Sequence, residues 1–416
     1  MLPRSAVLPR SRSLALLATA VLAIGTFACS SSDTAAPEVS APTITISGVS
    51  DGARLESGVT ISVTIDSGTF QATLNGAPFF SGGTVAEPGT YRLEVVAQNA
   101  GGVTTEVVEF EILFTGDSLL IIRMLDLGEN GAGGGGDALL VTDSSAAGMR
   151  HALIDAGPAG ADAADPGFVE RRLQQLGIDS LEVLVLTHGH SDHYGGMSPV
   201  LNGSAVEEFF YNGQIRFLGS YQSVISTARS RADTVIVPNV LEDRDLGLGA
   251  ERTRLTIIPG LPDNLGTSTN DGSDLNDGSI GAVFAKGAFS MFVAGDGEVD
   301  ANLRWRRDYA ALTRDVTILK VGHHGANDAV FDAGFAGSGT TWLDHADAEL
   351  HLVSANGTSH PRIGALNALL TRPGLTLCTS THGEIEIRAA ASGQWSVSVE
   401  RNEGLECSEG RDATTQ

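Results

Sequence analysis

The stretch Leu186-Thr187-His188-Gly189-His190-Ser191-Asp192-His193-Tyr194-Gly195-Gly196 places three imidazoles and a carboxylate within six residues. It follows Leu181 to Leu186, an apolar run that reads as a buried strand. Gly195 and Gly196 permit a tight exit from the loop. The cluster therefore sits where a rigid scaffold commonly presents ligands, on a loop at a strand end. Imidazole nitrogen and carboxylate oxygen are donors that zinc, manganese and iron accept. A solvated polar loop accounts for one histidine, but not for HxHxDH directly after a hydrophobic strand. The reading is a metal-binding loop.

Working outward, no histidine follows His193 until His323. The gap holds Leu275-Asn276-Asp277-Gly278-Ser279-Ile280, which enters a strand to Phe284 and also suits a plain turn. Phe289 to Ala294 reads as a buried strand ending in Gly295-Asp296-Gly297-Glu298. A carboxylate has two oxygens and can serve two cations, which a neutral imidazole cannot. Glu298 reads as a helix-start residue. A strand from Asp315 to Val321 ends in Gly322-His323-His324-Gly325, and one from Leu352 is followed by a polar loop with His360-Pro361. His151, His345, His351 and His382 lack such settings and read as structural. Upstream, Leu119 to Leu125, Ala138 to Val141 and Ala152 to Ile154 read as strands, and Phe168 to Leu176 as a helix. The glycine-rich loop Asn130 to Gly136 lacks the Lys-Ser/Thr and the helix of a phosphate cradle.

In this order, MLDLG, GDALLV, LIDAG, THGHSDHYGG, NDGS, VAGDGE, LKVGHHG and SANGTSHP resemble the metallo-β-lactamase superfamily. The missing midway His, with the HHG and HP steps, resembles its ComEC/Rec2 branch over roughly residues 119 to 390. The resemblance implies an α/β fold, a four-layer αββα sandwich with two divalent metal ions, Zn or Mn, at one edge of the sheets. It implies metal ligation by His188, His190 and His323, with Asp296 bridging and Asp192 and His193 at the second site. Which of His323 and His324 is the ligand stays open. Asp192, His324 and His360 are catalytic candidates; Asn276, Asp277 and Ser279 are substrate or supporting candidates. The implied reaction is attack by a metal-activated water on phosphorus or a carbonyl carbon. A phosphodiesterase or nuclease leads. A lactonase or β-lactamase-type hydrolase is an alternative that the missing His disfavours, and a non-catalytic surface-binding module is another. The competence proteins embed this domain in a membrane channel that this sequence lacks, so DNA uptake does not carry over.

At 416 residues the chain has room for two or three domains, and its net charge is −24. That charge argues against a broad basic nucleic-acid-binding face, although cations in a pocket can outweigh it locally. The chain's two lysines, Lys286 and Lys320, carry no functional reading at this level. Residues 1–29 resemble a lipoprotein-type signal peptide, with Arg4, Arg10 and Arg12 ahead of an apolar run and Thr26-Phe27-Ala28-Cys29 as the cleavage box. Thr26 stands where Leu is commoner. The expectation is a lipid anchor on Cys29 holding the protein on a membrane surface, or else plain secretion. Residues 30–42 read as a flexible tether. Alternating short strands separated by turn signals over 43–114 suggest a small β-sandwich resembling immunoglobulin-like modules, read as a spacer or adhesion unit. Residues 118–400 form the expected hydrolase domain and 401–416 a tail. Cys378 and Cys407 pair in an oxidising compartment or stay as two free thiols.

Overall fold

The computed structural model describes residues 39–408, apart from 56–57, 87–88, 113–117, 128–134, 161–166, 217, 261–271 and 358. The signal segment with Cys29, most of the tether, residues 113–117 and most of the glycine-rich loop lie outside the described residues.

The segment from Ile44 to Ile112 forms two small sheets. One has three strands, Ile44–Ser47, Val59–Ile65 and Gly83–Val85. The other has five, in the order Ala53–Leu55, Gly102–Ile112, Gly89–Asn99, Thr69–Leu74, Ala77–Phe79. They share a core that includes Ile61, Val63, Leu93, Val95, Phe110 and Ile112. Four of these strands, Ala53–Leu55, Thr69–Leu74, Ala77–Phe79 and Gly83–Val85, are too short or too mixed in pattern to have been singled out in the sequence.

The rest of the chain builds two large sheets. One has eight strands, in the order Ala232–Ile236, Ala205–Tyr211, Ser180–Leu186, Gly148–Ile154, Leu139–Ser145, Ser118–Met124, Ile385–Ala389, Trp395–Val399. The other has seven, Glu242–Asp245, Arg254–Ile258, Gly281–Lys286, Phe289–Val293, Ile318–Lys320, Leu350–Val353, Leu375–Cys378. Period-two alternation divides each strand between two apolar surfaces. Along Ser180–Leu186, Val183 and Val185 face the core between the sheets, while Leu181, Leu184 and Leu186 face a helical layer with Val169, Leu173 and Val200. Along Phe289–Val293, residues 289, 291 and 293 face the same inter-sheet core, and Phe292 packs outward on Trp305 and Trp342. The stack is therefore helix, sheet, sheet, helix.

Gly148–Ile154, Ser180–Leu186 and Ala205–Tyr211 run parallel, as do Phe289–Val293, Ile318–Lys320, Leu350–Val353 and Leu375–Cys378. Loops at the carboxyl ends of such strands gather on one edge, the usual place for a site in α/β sheets. Both lysines reach from the second sheet to aspartates in or just before the strand Leu139–Ser145 of the first. Lys286 Nζ lies 2.8 Å from Asp143 Oδ2 with both side chains at most 1% exposed, and Lys320 pairs with Asp137. Cys378 and Cys407 are joined by a disulfide that ties the tail to the strand Leu375–Cys378, so the two-thiol alternative is not realised.

Candidate metal centre

The HxHxDH loop is shaped by the residues beneath it. The Thr187 N–H donates to Asp155 Oδ1 at 2.8 Å and the Thr187 hydroxyl to Asp155 Oδ2 at 2.7 Å, which fixes the end of the strand. The short helix Ser191–Tyr194 then turns His193 inward. On the facing sheet Gly295 has φ +52°, and a Cβ there would meet the Thr187 side chain at 2.9 Å. Only glycine lets the two strand ends approach so closely while Asp296 points between them.

The side chains converge as two overlapping groups that share Asp296. Donor atoms of Asp192, His193, Asp296 and His324 lie within 4.8 Å of one another, and so do those of His188, His190 and Asp296. His193 Nε2 is 3.0 Å from Asp296 Oδ2, and His324 Nε2 is 3.3 Å from both Asp192 Oδ2 and Asp296 Oδ2. His188 Nε2 is 3.8 Å from Asp296 Oδ2 and 2.9 Å from His190 Nδ1. His193 Nε2, His324 Nε2 and Asp296 Oδ1 are buried without a hydrogen bond of acceptable geometry. Buried polar atoms without partners are costly. His193 Nε2 and His324 Nε2 both face Asp296 Oδ2, and donors of these types buried together fit a metal ion.

The other ring nitrogens are held. His193 Nδ1 lies 2.7 Å from Asp155 Oδ2. His324 Nδ1 faces the Ser354 carbonyl at 3.1 Å, Ser354 Oγ at 3.2 Å and Asp137 Oδ1 at 3.4 Å. Such outer partners fix the tautomer and orientation of metal-binding imidazoles. Among the protein's own groups, burial depresses His188 and His190, and for His188 the His193 charge adds to this. Burial also opposes the charge on His193 and His324. The carboxylates outweigh it, Asp296 and Asp155 for His193 and Asp296, Asp137 and Asp192 for His324, and raise both well above the ordinary imidazole range.

His323 stands outside both groups. Its Nδ1 is 3.1 Å from Glu298 Oε1 and 3.0 Å from Asp328 Oδ1. Burial lowers its proton affinity, but these two carboxylates raise it to about 10. Both His323 and His324 have positive φ, 45° and 53°, so the backbone turns one imidazole out and the next in. The structure thus brings His324, and not His323, together with Asp192, His193 and Asp296, while His323 stands with Glu298 and Asp328. The four-donor group is Asp192, His193, Asp296 and His324, whereas His188, His190 and Asp296 form a three-donor group.

Asn276 donates to Glu298 Oε1 at 2.6 Å and lies 3.4 Å from His323 Nε2, so it borders the site through His323. Asp277 turns away and accepts the N–H groups of Glu298 and Ala301, capping the helix Val299–Asp308. Burial pushes its carboxyl up to about 6. Ser279 Oγ accepts the Asp296 N–H at 3.2 Å, a supporting contact. His360 lies beside the site, its ring 5.4 Å from His323 and 5.9 Å from His324. Burial and the neighbouring imidazoles lower it to about 3. Sequence reasoning gave no role to Asp137, Asp155, Lys320 or Ser354, although GDALLV, LIDAG, LKVGHHG and SANGTSHP contain them. The available signals were single acids beside apolar runs and the scarcity of lysine.

Residues 131–269 match the metallo-beta-lactamase superfamily. Over those residues the chain is thus similar to that superfamily, and the residue groups described above could hold metal. No curated protein matches. Two solved structures similar to the chain are a point mutant of the CmlA beta-hydroxylase and Zn(2+)-bound PqqB from Methylobacterium extorquens. The first is 14% identical with a TM-score of 0.39, over 66% of this chain and 55% of the other. The second is 14% identical with a TM-score of 0.30, over 63% of this chain and 88% of the other. The chain therefore spans little more than half the length of the CmlA chain.

Proposed function

We propose that the protein is an exported metal-dependent hydrolase of phosphodiesters, of the ComEC/Rec2-like kind. The observation that carries this reading is the convergence of six ligand-type side chains on one strand-end edge, with Asp296 common to both groups. Bound divalent cations would supply Lewis acidity and an activated water. The chain's residues do the rest. His188, His190 and Asp296 hold one position, and Asp192, His193, Asp296 and His324 the other. With His324 among the holders, the proton for a leaving oxygen comes from His323, which Glu298 and Asp328 keep protonated. His360, kept neutral, orients the substrate by hydrogen bonding. In this reading Cys29 carries a lipid anchor at a membrane surface, or the chain is secreted. The two small sheets then act as an immunoglobulin-like spacer or adhesion unit.

The test is the full chain loaded with Zn or Mn and offered bis-nitrophenyl phosphate, linear DNA and nitrocefin. Phosphodiester cleavage that is lost in His188→Ala supports the reading. Cleavage of nitrocefin alone moves it to the lactonase and β-lactamase side. Inactivity on all three with metal bound favours a binding module.

A further inference from the structure

Lys320 is a buried charged group that the mechanism leaves unused, and it lies beside the metal centre. Lys320 reaches from the strand Ile318–Lys320 across the inter-sheet core to Asp137. It also donates to the Gly295 carbonyl at 2.9 Å and lies 4.0 Å from Asp296 Oδ1. Asp137 in turn touches the other side of the centre. Its N–H donates to the Asp192 carbonyl at 3.2 Å, its Oδ2 is 4.0 Å from His193 Nδ1, and its Oδ1 is 3.4 Å from His324 Nδ1. Ser354 Oγ donates to Asp137 Oδ1, which leaves the Ser354 oxygen free to accept from His324. The pair thus contacts the backbone or side chain at all four residues of the four-donor group.

Its charge matters as much as its contacts. Asp137, Asp155, Asp192 and Asp296 surround His193 and His324. Among the described residues, Lys320 is the one lysine or arginine within ion-pair distance of any of them. The adjoining cavity, lined by Met124, Leu139, Ile154, Asp137, Lys320 and Ser354, measures about 10 Å³, room for one water at most. With so little solvent, unbalanced charge here is screened weakly.

We propose that Lys320 and Asp137 are a positioning pair for the metal centre. Asp137, with Ser354, keeps the proton of His324 on Nδ1 so that Nε2 presents its lone pair. Lys320 cancels the Asp137 charge, so that the carboxylate can hold His324 without adding net charge to the centre. The inference rests on the metal-site reading and not on the substrate, so a failed phosphodiesterase assay leaves it standing.

The test is competition calorimetry with Zn²⁺ on the full chain, beside thermal unfolding of the metal-free form. Asp137→Asn leaves Lys320 unbalanced next to the centre and should weaken Zn²⁺ binding at least tenfold. Lys320→Met leaves an extra negative charge and should bind Zn²⁺ as tightly as wild type or more so. The double variant restores the balance and should return to within threefold of wild type. A packing role would instead weaken both single variants alike. Equal weakening, or Asp137→Asn with unchanged affinity, overturns the proposal. Should Lys320→Met fail to fold, the double variant decides: affinity as poor as that of Asp137→Asn overturns the proposal, and recovery supports it.

Discussion

Removing either of the adjacent histidines tests the ligand set directly. His324→Ala takes one donor from the four-donor group and leaves Asp192, His193 and Asp296. Loss of an outer partner of a metal ligand typically costs 10–100-fold in affinity, so loss of the ligand itself should cost at least about 100-fold, or about 2.7 kcal/mol. The group would then hold three donors, as the His188, His190 and Asp296 group does. A Zn²⁺ titration that shows a tight and a weak step in the wild type should collapse to weak binding alone. His323→Ala removes an imidazole that is one quarter exposed and faces Glu298 and Asp328. It should leave the tight step within about threefold, cost about 1 kcal/mol in stability and lower turnover. The assay is metal content after exhaustive dialysis, followed by competition calorimetry. The reasoning is refuted if His323→Ala loses the tight ion and His324→Ala keeps it, because the left-handed turn would then point the opposite imidazole inward.

Further outcomes follow from the same framework. Asp277 carries a folded-state pKa of about 6 against 3.8 in the unfolded chain, so stability falls as pH rises from about 4 through 6. Asp277→Asn keeps an acceptor for Glu298 and Ala301, should flatten that dependence in urea unfolding, and should be more stable than wild type at pH 7 by about 2 kcal/mol; an unchanged pH slope would reject the assignment. Lys286→Met strands the Asp143 carboxylate in the inter-sheet core and should cost about 3–5 kcal/mol, whereas Lys286→Met with Asp143→Asn should recover most of it, since Thr253 still has its acceptor. Denaturant midpoints for the two variants check this, and a double variant no better than the single would refute it. Replacing Cys378 and Cys407 with Ala opens a cross-link spanning 29 residues and should cost about 3–4 kcal/mol by chain entropy. The thermal midpoint under reducing and oxidising conditions measures the same quantity.

How legible the centre was depends on the range over which each residue is positioned. His188, His190, Asp192 and His193 were readable because one loop holds them at fixed spacing after one strand. Asp296 was readable because it stands in a Gly-Asp step at the end of a buried strand, the step that the family resemblance links to a bridging carboxylate. The choice between His323 and His324 was not, because it depends on two successive left-handed residues, and a shift of one position in such a turn reverses which side chain points inward. Asp137 and Lys320 are 183 residues apart, and only the stacking of the two sheets brings them together. Apolar runs and alternation identified the longer strands, but short strands such as Ala77–Phe79 have too few residues for either pattern to show.

The position of His324 changes the meaning of the missing midway histidine. With His323 as the last ligand, Asp192 and His193 would have had only the shared Asp296 to complete the second position. The structure brings four donors together there and three on the His188 and His190 side. Asn276, which lies in the sequence gap between His193 and His323, donates to Glu298 and borders His323 instead. The two positions are therefore unequal by construction. One is backed by Asp155, Asp137 and Ser354 through the outer nitrogens of His193 and His324. The other rests on His188 and His190, whose close approach of 2.9 Å lets a single proton satisfy both rings without an ion. A protein arranged this way should hold its first cation through purification and exchange its second with the medium, so activity should depend on added metal at constant content of the tight ion. Full activity after dialysis, with one ion per chain, would show that the three-donor group takes no part in the chemistry.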